Sequence, residues 1–391
     1  MPQRLIILDA LPSPTEFYAT YWNQKPFLVR AAFDQDDLAG LISADELAGL
    51  AMEDAPLSRM VKSAGDVLDW SAHFGPFSVD DYASAGDKDW SLLVQNVEQF
   101  HPDTSALLRH FKFAPRWLMD DIMVSYSAPG GSVGPHIDSY HVFLVQGQGQ
   151  RVWTIGREAL QHPQHVEGLN FKLLKTRYEG DRVEVNRGDV LYLPPNFAHE
   201  GTTIETSLTY SVGFLGPKLS ELLSSYGHHL AQFEETDPRY VGDGLNVESA
   251  DFSIAPDAVA TVRERLGGLL NRADFTQWLV TFFTESGHED FGVYSEREDP
   301  LSLENFAAYL KDGDSLIKPH YVKFALTSEA GRFTLGFDGH SFVLDEHAFD
   351  IIQALMKERP VNGTNMRTLS TSPTSVQLLC DLYNHEALEF C

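Results

Sequence analysis

His136 and Asp138 stand two residues apart in the run PHIDSYHVFLVQGQGQRVW. On an extended chain alternate side chains share a face, so an imidazole and a carboxylate are presented together. Two histidines and one carboxylate on a triangular face hold Fe(II) in oxygenases and leave three positions for a bidentate co-substrate and O2. The third donor must come from a strand that is adjacent in space and distant in sequence. His199 is the candidate, because it follows GDVLYLPPNFAHEG, a turn, a short strand and a Pro-Pro stop after which the chain re-enters the β-rich block. His-x-Asp alone is common. Its combination with the Gly-rich PGGSVG before His136 and with His199 after LYLPP is specific. His141 has the wrong parity to join His136, and His162, His165, His228 and His229 keep no ligand spacing with their neighbours.

A dicarboxylate co-substrate also needs a cation to hold its far end. Arg151 opens the strand after GQGQ and can run back beside the metal segment, with a guanidinium fork that matches a carboxylate. Ser125 and Ser207 sit on candidate neighbouring strands and can donate hydroxyls to the same carboxylate. Tyr140, Trp153, Tyr192 and Tyr210 read as core or cavity-wall aromatics.

The elements that must position these residues are short runs of period two between 121 and 215: DIMVSYS, YHVFLVQG, QRVWTIG, RVEVNRGDVLYLP and TSLTYSVGF. PGGSVG, GQGQ and NRGD separate them as turns, which points to a sandwich or small barrel. Before this block, TEFYATYWNQKPFLVR predicts a short helix, a turn at Lys25-Pro26 and a strand; Ser43 and Glu46 predict a capping box. DTSALLRHFKF predicts a further helix. After the block, KLSELLSSYGHHLAQFEE, PDAVATVRERLGGLLNR and ADFTQWLVTFF predict helices, with ETDPRYVGDGLNVESAD as a connection and GHEDFGVYSEREDP as a linker. The last segment predicts a hairpin at RFTLGFDGHSFVL and helices at EHAFDIIQALMKER and SPTSVQLLCDLYNHEALEF, a winged-helix pattern. The expected division is 1–216, 217–288 and 289–391.

Composition limits the functions available. The formal net charge is −27, from 56 acidic and 29 basic residues, which opposes contact with nucleic acid or anionic lipid and favours a basic partner. Two cysteines, Cys380 and Cys391, make no disulfide framework and favour a reducing cytoplasm. No run of about 18 apolar residues exists to span a bilayer, and MPQRLIILDALPSPTEF reads as a strand and turn, not a signal peptide.

The run from PGGSVGPHID through FLVQGQGQRVWTIG to GDVLYLPPNFAHEG resembles the JmjC-type ribosomal oxygenases of the cupin superfamily. The likeness is closest to the bacterial branch that hydroxylates an arginine of the sixteenth large-subunit protein, and it extends from LDALPSPTEFYATYWNQKPFLVR to the final winged helix. The resemblance implies an α+β fold: a double-stranded β-helix, a helical dimerisation segment at 217–288 and a winged helix packed on the body. It implies iron at His136, Asp138 and His199, 2-oxoglutarate at Arg151 and Ser125, O2 as oxidant, and a homodimer acting on a basic ribosomal protein. Direct DNA reading by the winged helix is not expected, since 301–391 holds 12 acidic and 7 basic residues. Where the family would put an acidic residue after the tyrosine of the metal strand, this chain has His141. Two alternatives remain at this point: the same chemistry on a histidine or another protein, and a non-catalytic cupin used as an interaction module.

Overall fold

The computed structural model describes residues 4–63, 69–232, 238–243, 245, 254–285, 296–312, 314–362 and 373–391. Most of the expected 235–251 connection and residues 287–295 of the expected linker therefore lie outside the described residues. Contacts divide the chain into two units, Met1–Gly216 and Pro217–Cys391.

The first unit is built on a sheet of ten strands: β1 Ile6–Leu8, β2 Phe27–Val29, β3 Ser58–Lys62, β4 Ser71–Phe74, β5 Trp90–Val94, β6 Met119–Ser127, β7 His141–Ala159, β8 Gly180–Asn186, β9 Val190–Leu193 and β10 Phe197–Phe214. Their order is β1-β2-β9-β7-β10-β6-β5-β3-β4, with β8 on β7. Only β1 and β2 pair in parallel, and β7 and β10 run side by side for most of their length. This fits the double-stranded β-helix that the resemblance implied.

GQGQ is not the turn expected of it. β7 runs straight through residues 147–150, and the strain is taken up as a kink. Gly149 adopts φ +67°, and a Cβ there would lie 2.1 Å from the Thr206 carbonyl of β10, a combination that only glycine tolerates. Register shifts in β10 around Glu205 and Leu208 mark the same bend. Long strands bent at a bulge can curl one sheet into a barrel.

Around the barrel, α1 Pro14–Glu16 leads into a wide turn to Tyr21, then β2 follows as predicted. α2 Ala44–Leu50 has the predicted capping box, with Ser43 N–H donating to Glu46 Oε2 at 2.8 Å. The predicted helix near 103–113 forms as a 3-10 helix over Pro102–Phe111. Phe17, Phe27, Phe111, Phe143 and Tyr192 interlock in the main core outside the barrel wall. α3 Val79–Ala85 and α4 Val97–Phe100 complete this unit.

The second unit starts with α5 Leu219–Ala231, α6 Pro256–Leu270 and α7 Phe275–Phe282, which share a small core of Tyr226, Leu230 and Trp278. It continues with α8 Leu303–Asp312, β11 Leu316–Ile317, the sheet β12 Phe324–Glu329, β13 Arg332–Phe337 and β14 His340–Leu344, then α9 Glu346–Met356, α10 Pro373–Asn384 and β15 Glu389–Phe390. β13 and β14 are the predicted hairpin. α7 lies directly on β13: a Cβ at Gly336 would come within 2.3 Å of the Val280 carbonyl. No described helix is long and apolar enough to cross a membrane.

Candidate metal centre and cavity

His136 and Asp138 lie on the extended segment entering β7, not inside a regular strand. A single antiparallel bridge fixes them: His136 N–H donates to His199 O at 3.0 Å, and His199 N–H donates to His136 O at 2.9 Å. Two distant parts of the sequence are thereby set side by side by their own backbones. Asn196 N–H donates to Asp138 O at 2.8 Å and holds the other flank.

The ring nitrogens are assigned by their partners. His136 Nδ1 is 2.8 Å from Gly134 O and His199 Nδ1 is 2.9 Å from Phe197 O. A carbonyl only accepts, so each Nδ1 carries the hydrogen and each Nε2 keeps a lone pair for a metal. His199 Nε2 lies 3.4 Å from Asp138 Oδ2, and the three donor atoms all lie within 4.8 Å of one another. Donors about 2.1 Å from a shared octahedral ion sit about 3 Å apart, so the spacing fits. Burial, reinforced by His199, pushes His136 down to about 4, so the imidazole is neutral at pH 7. Burial alone would raise Asp138, but its contact with His199 and the neighbouring His136 outweigh it and hold the carboxylate down at about 2. His136 and Asp138 are thus in the protonation states that bind a metal. Tyr140 adds a hydrogen bond to Asp138.

These residues line a cavity of about 400 Å³ inside the barrel. Arg151 enters it from β7 and is only 7% exposed. Its Nε donates to Ser207 Oγ at 2.9 Å, and its Nη2 donates to Ser125 Oγ at 3.2 Å and Ser127 Oγ at 2.5 Å. No described carboxylate pairs with it, and burial pulls it down to about 10. A guanidinium held by hydroxyls alone is oriented but not neutralised, and an anion from outside would complete it. The three predicted co-substrate residues therefore meet in one network. Ser127 was missed, although it shares the face of Ser125 two residues along β6.

Trp153 packs beside His199 and Tyr140 lines the cavity, while Tyr192 and Tyr210 belong to the core. His141, which parity set apart from His136, lies away from the three donors. It stacks on Trp22 at 3.4 Å and shares a 2.8 Å hydrogen bond with the Tyr192 hydroxyl. The departure from the family pattern is thus absorbed by the core and does not line the cavity.

A barrel of this topology closing on two histidines and an aspartate defines a JmjC-type oxygenase. The chain belongs to the JmjC-type ribosomal oxygenase family. Residues 106–222 match the JmjC domain and residues 267–389 match the ROXA-like winged helix. The chain is 36% identical over 305 residues to the ribosomal protein uL16 3-hydroxylase of Escherichia coli (strain K12), covering 78% of this chain and 79% of that protein. It is 38% identical over 212 residues to a probable ribosomal oxygenase of Haemophilus influenzae, covering 54% and 52%. The structure of the E. coli ribosomal oxygenase YcfD in complex with cobalt and 2-oxoglutarate superposes with a TM-score of 0.80 at 32% identity, over 96% of this chain and 97% of that one.

Proposed function

We propose that the chain is an Fe(II)- and 2-oxoglutarate-dependent oxygenase that hydroxylates the β-carbon of an arginine in a large-subunit ribosomal protein. The observation that carries this reading is the buried, unneutralised Arg151 in the same cavity as two Nε2 lone pairs and a carboxylate. His136, Asp138 and His199 hold the iron; Arg151, Ser125, Ser127 and Ser207 hold the far carboxylate of 2-oxoglutarate. Iron held there would let O2 oxidise 2-oxoglutarate to succinate and CO2, one oxygen atom going into succinate and the other into the substrate C–H bond. The chain's own groups orient the reactants and keep the donors deprotonated.

A cationic substrate suits the N-terminal end of β6. Asp121 shares the inward face of β6 with Met123 and Ser125, and no described cation pairs with it. Burial, then Asp120, pushes its carboxyl up to about 7. The net charge of −27 further favours encounter with a basic ribosomal protein, in the cytoplasm where ribosomes work.

The domain reading follows: residues 1–216 as the oxygenase domain, 217–288 as a dimerisation domain and 289–391 as a winged helix without direct DNA contact. Leu219 and Leu223 on α5 and Leu266 on α6 are 78%, 61% and 59% exposed, an apolar face suited to a second copy. The Leu219→Asp, Leu223→Asp double variant is expected to halve the mass seen by light scattering.

The decisive experiment incubates large-subunit ribosomal peptides with enzyme, Fe(II) and 2-oxoglutarate. A gain of about 16 Da on an arginine, absent with His199→Ala, is expected. Modification of histidine peptides alone would overturn the arginine assignment. Absence of both peptide modification and succinate from iron-loaded protein would overturn the enzyme reading.

A further inference from the structure

Arg59 stands on β3 in a cross-strand row with Leu93 of β5 and Ser125 of β6. Ser125 is the residue whose hydroxyl meets Arg151. Arg59 is half-buried and lines the metal cavity, where its charge acts on His136. Its side chain makes no hydrogen bond or ion pair with any described residue. Lys172 lines the same cavity from the segment before β8 and is exposed and equally unpaired. The segment is pinned in place: Asn170 Nδ2 donates to Ala72 O at 2.7 Å, and Phe171 packs on Val61, Ala72 and Leu93.

Two unpaired cations at one cavity are unexpected in a chain with 56 acidic residues against 29 basic ones. A basic protein substrate gains nothing from them. A dicarboxylate does: 2-oxoglutarate must reach Arg151, and succinate must leave, through the field of a strongly negative protein. We propose that Arg59 and Lys172 form the entry and exit path for the dicarboxylate, attracting its free carboxylate and passing the molecule inward to Arg151.

The inference rests on the co-substrate reading above, and the test separates the two. Protein loaded with Co(II), which binds the same donors without turnover, is mixed with 2-oxoglutarate in a stopped-flow instrument while tryptophan fluorescence is followed. If the unsubstituted protein shows no 2-oxoglutarate binding, the co-substrate reading itself fails. Given binding, Arg59→Gln with Lys172→Gln is expected to lower the association rate by about fivefold at low salt. The dissociation rate should change less than about twofold, and the difference should vanish near 0.5 M salt. Arg59→Lys should restore most of the rate. An unchanged association rate, or a loss equal at all salt concentrations, would overturn the proposal. Lys172→Gln alone, on an exposed side chain that can be replaced without disturbing the fold, gives the same test in smaller measure should the Arg59 variant not fold.

Discussion

The inward face of β6 carries opposite chemistry at its two ends. Toward its C-terminus, Ser125 and Ser127 hold the Arg151 guanidinium by hydroxyls, with no described acid to neutralise it. Toward its N-terminus, Asp121 stands with Glu98 behind it and no described base pairs with either. Asn96 N–H reaches Asp121 Oδ2 at 3.5 Å and Ile122 N–H reaches Glu98 Oε2 at 2.8 Å. Asp121 and Ser127 are separated by about 20 Å of strand. An internal Arg–Asp pair would have been the simpler way to bury both charges. Keeping them apart leaves each end incomplete, and the proposed reactants would complete them: a dicarboxylate at one, a guanidinium at the other.

The largest expected effect tests the cationic end. Arg151→Met removes a charge-assisted contact worth about 3 kcal/mol, so 2-oxoglutarate affinity should fall roughly 150-fold. Metal-free protein should melt no lower than before, because the lost guanidinium was buried without a counter-charge. A clear drop in melting temperature would show that Arg151 serves the fold and that the two ends are not comparable.

Asp121→Asn tests the acidic end. An arginine peptide should lose about 2 kcal/mol of binding, roughly thirtyfold in KM, while 2-oxoglutarate affinity stays within about twofold. In the unsubstituted enzyme kcat/KM should fall as pH drops through about 7, where burial places the Asp121 carboxyl. The variant should lack that edge. Loss of 2-oxoglutarate affinity in equal measure would mean that the ends do not act separately.

A smaller effect resolves the hydroxyls. Ser127 lies closer to Arg151 Nη2 than Ser125 does, 2.5 against 3.2 Å. Ser127→Ala should therefore weaken 2-oxoglutarate by about 1 kcal/mol, roughly fivefold, and Ser125→Ala by less. The reverse order, read by titration calorimetry, would show that the bound carboxylate takes its hydroxyl from Ser125.

The two ends were unequally legible in the sequence. Iron chemistry demands particular residue types at alternate positions, so His136, Asp138 and His199 stood out, and Arg151 followed from the need for a fork at the far carboxylate. Ser127 shares the parity of Ser125, but parity gives a face and not a reach. Asp121 reads as one acid among 56; only the register of β6 against β10, and the absence of a side chain at Gly213, 3.2 Å from where a Cβ would meet Asp121 Oδ1, give it meaning. Arg59 comes to the cavity through β3-β5-β6 pairing, 66 residues from Ser125 in the chain, which no local pattern encodes. GQGQ was misread because its glycines serve a kink within one strand, and a glycine-rich tetrapeptide looks the same in either use. The small barrel and the hairpin-and-helix pattern of the last segment were readable because their elements are strongly periodic; the JmjC assignment came from the resemblance of the motifs around His136, Arg151 and His199.

The smallest effect concerns how the acidic end is tolerated. Glu98 is 3% exposed, and burial followed by Asp121 raises it to about 8. Its folded value lies above its unfolded one, so its contribution to stability is complete below about pH 4.5 and lost as pH rises through 8. Glu98→Gln keeps an oxygen to accept from Ile122 N–H and removes the titration. At pH 9 it should melt about 5 °C higher than the unsubstituted protein, on the order of 2 kcal/mol, and the gap should close near pH 5. The same variant decides how the two carboxyls share their protons. Asp121 ionises near 7 while Glu98 still carries its proton, so replacing Glu98 by a neutral amide should leave the kcat/KM edge near pH 7. An edge displaced by a full unit would mean that the pair titrates as one coupled acid, and that the acidic end presents a shared charge to the substrate and not Asp121 alone.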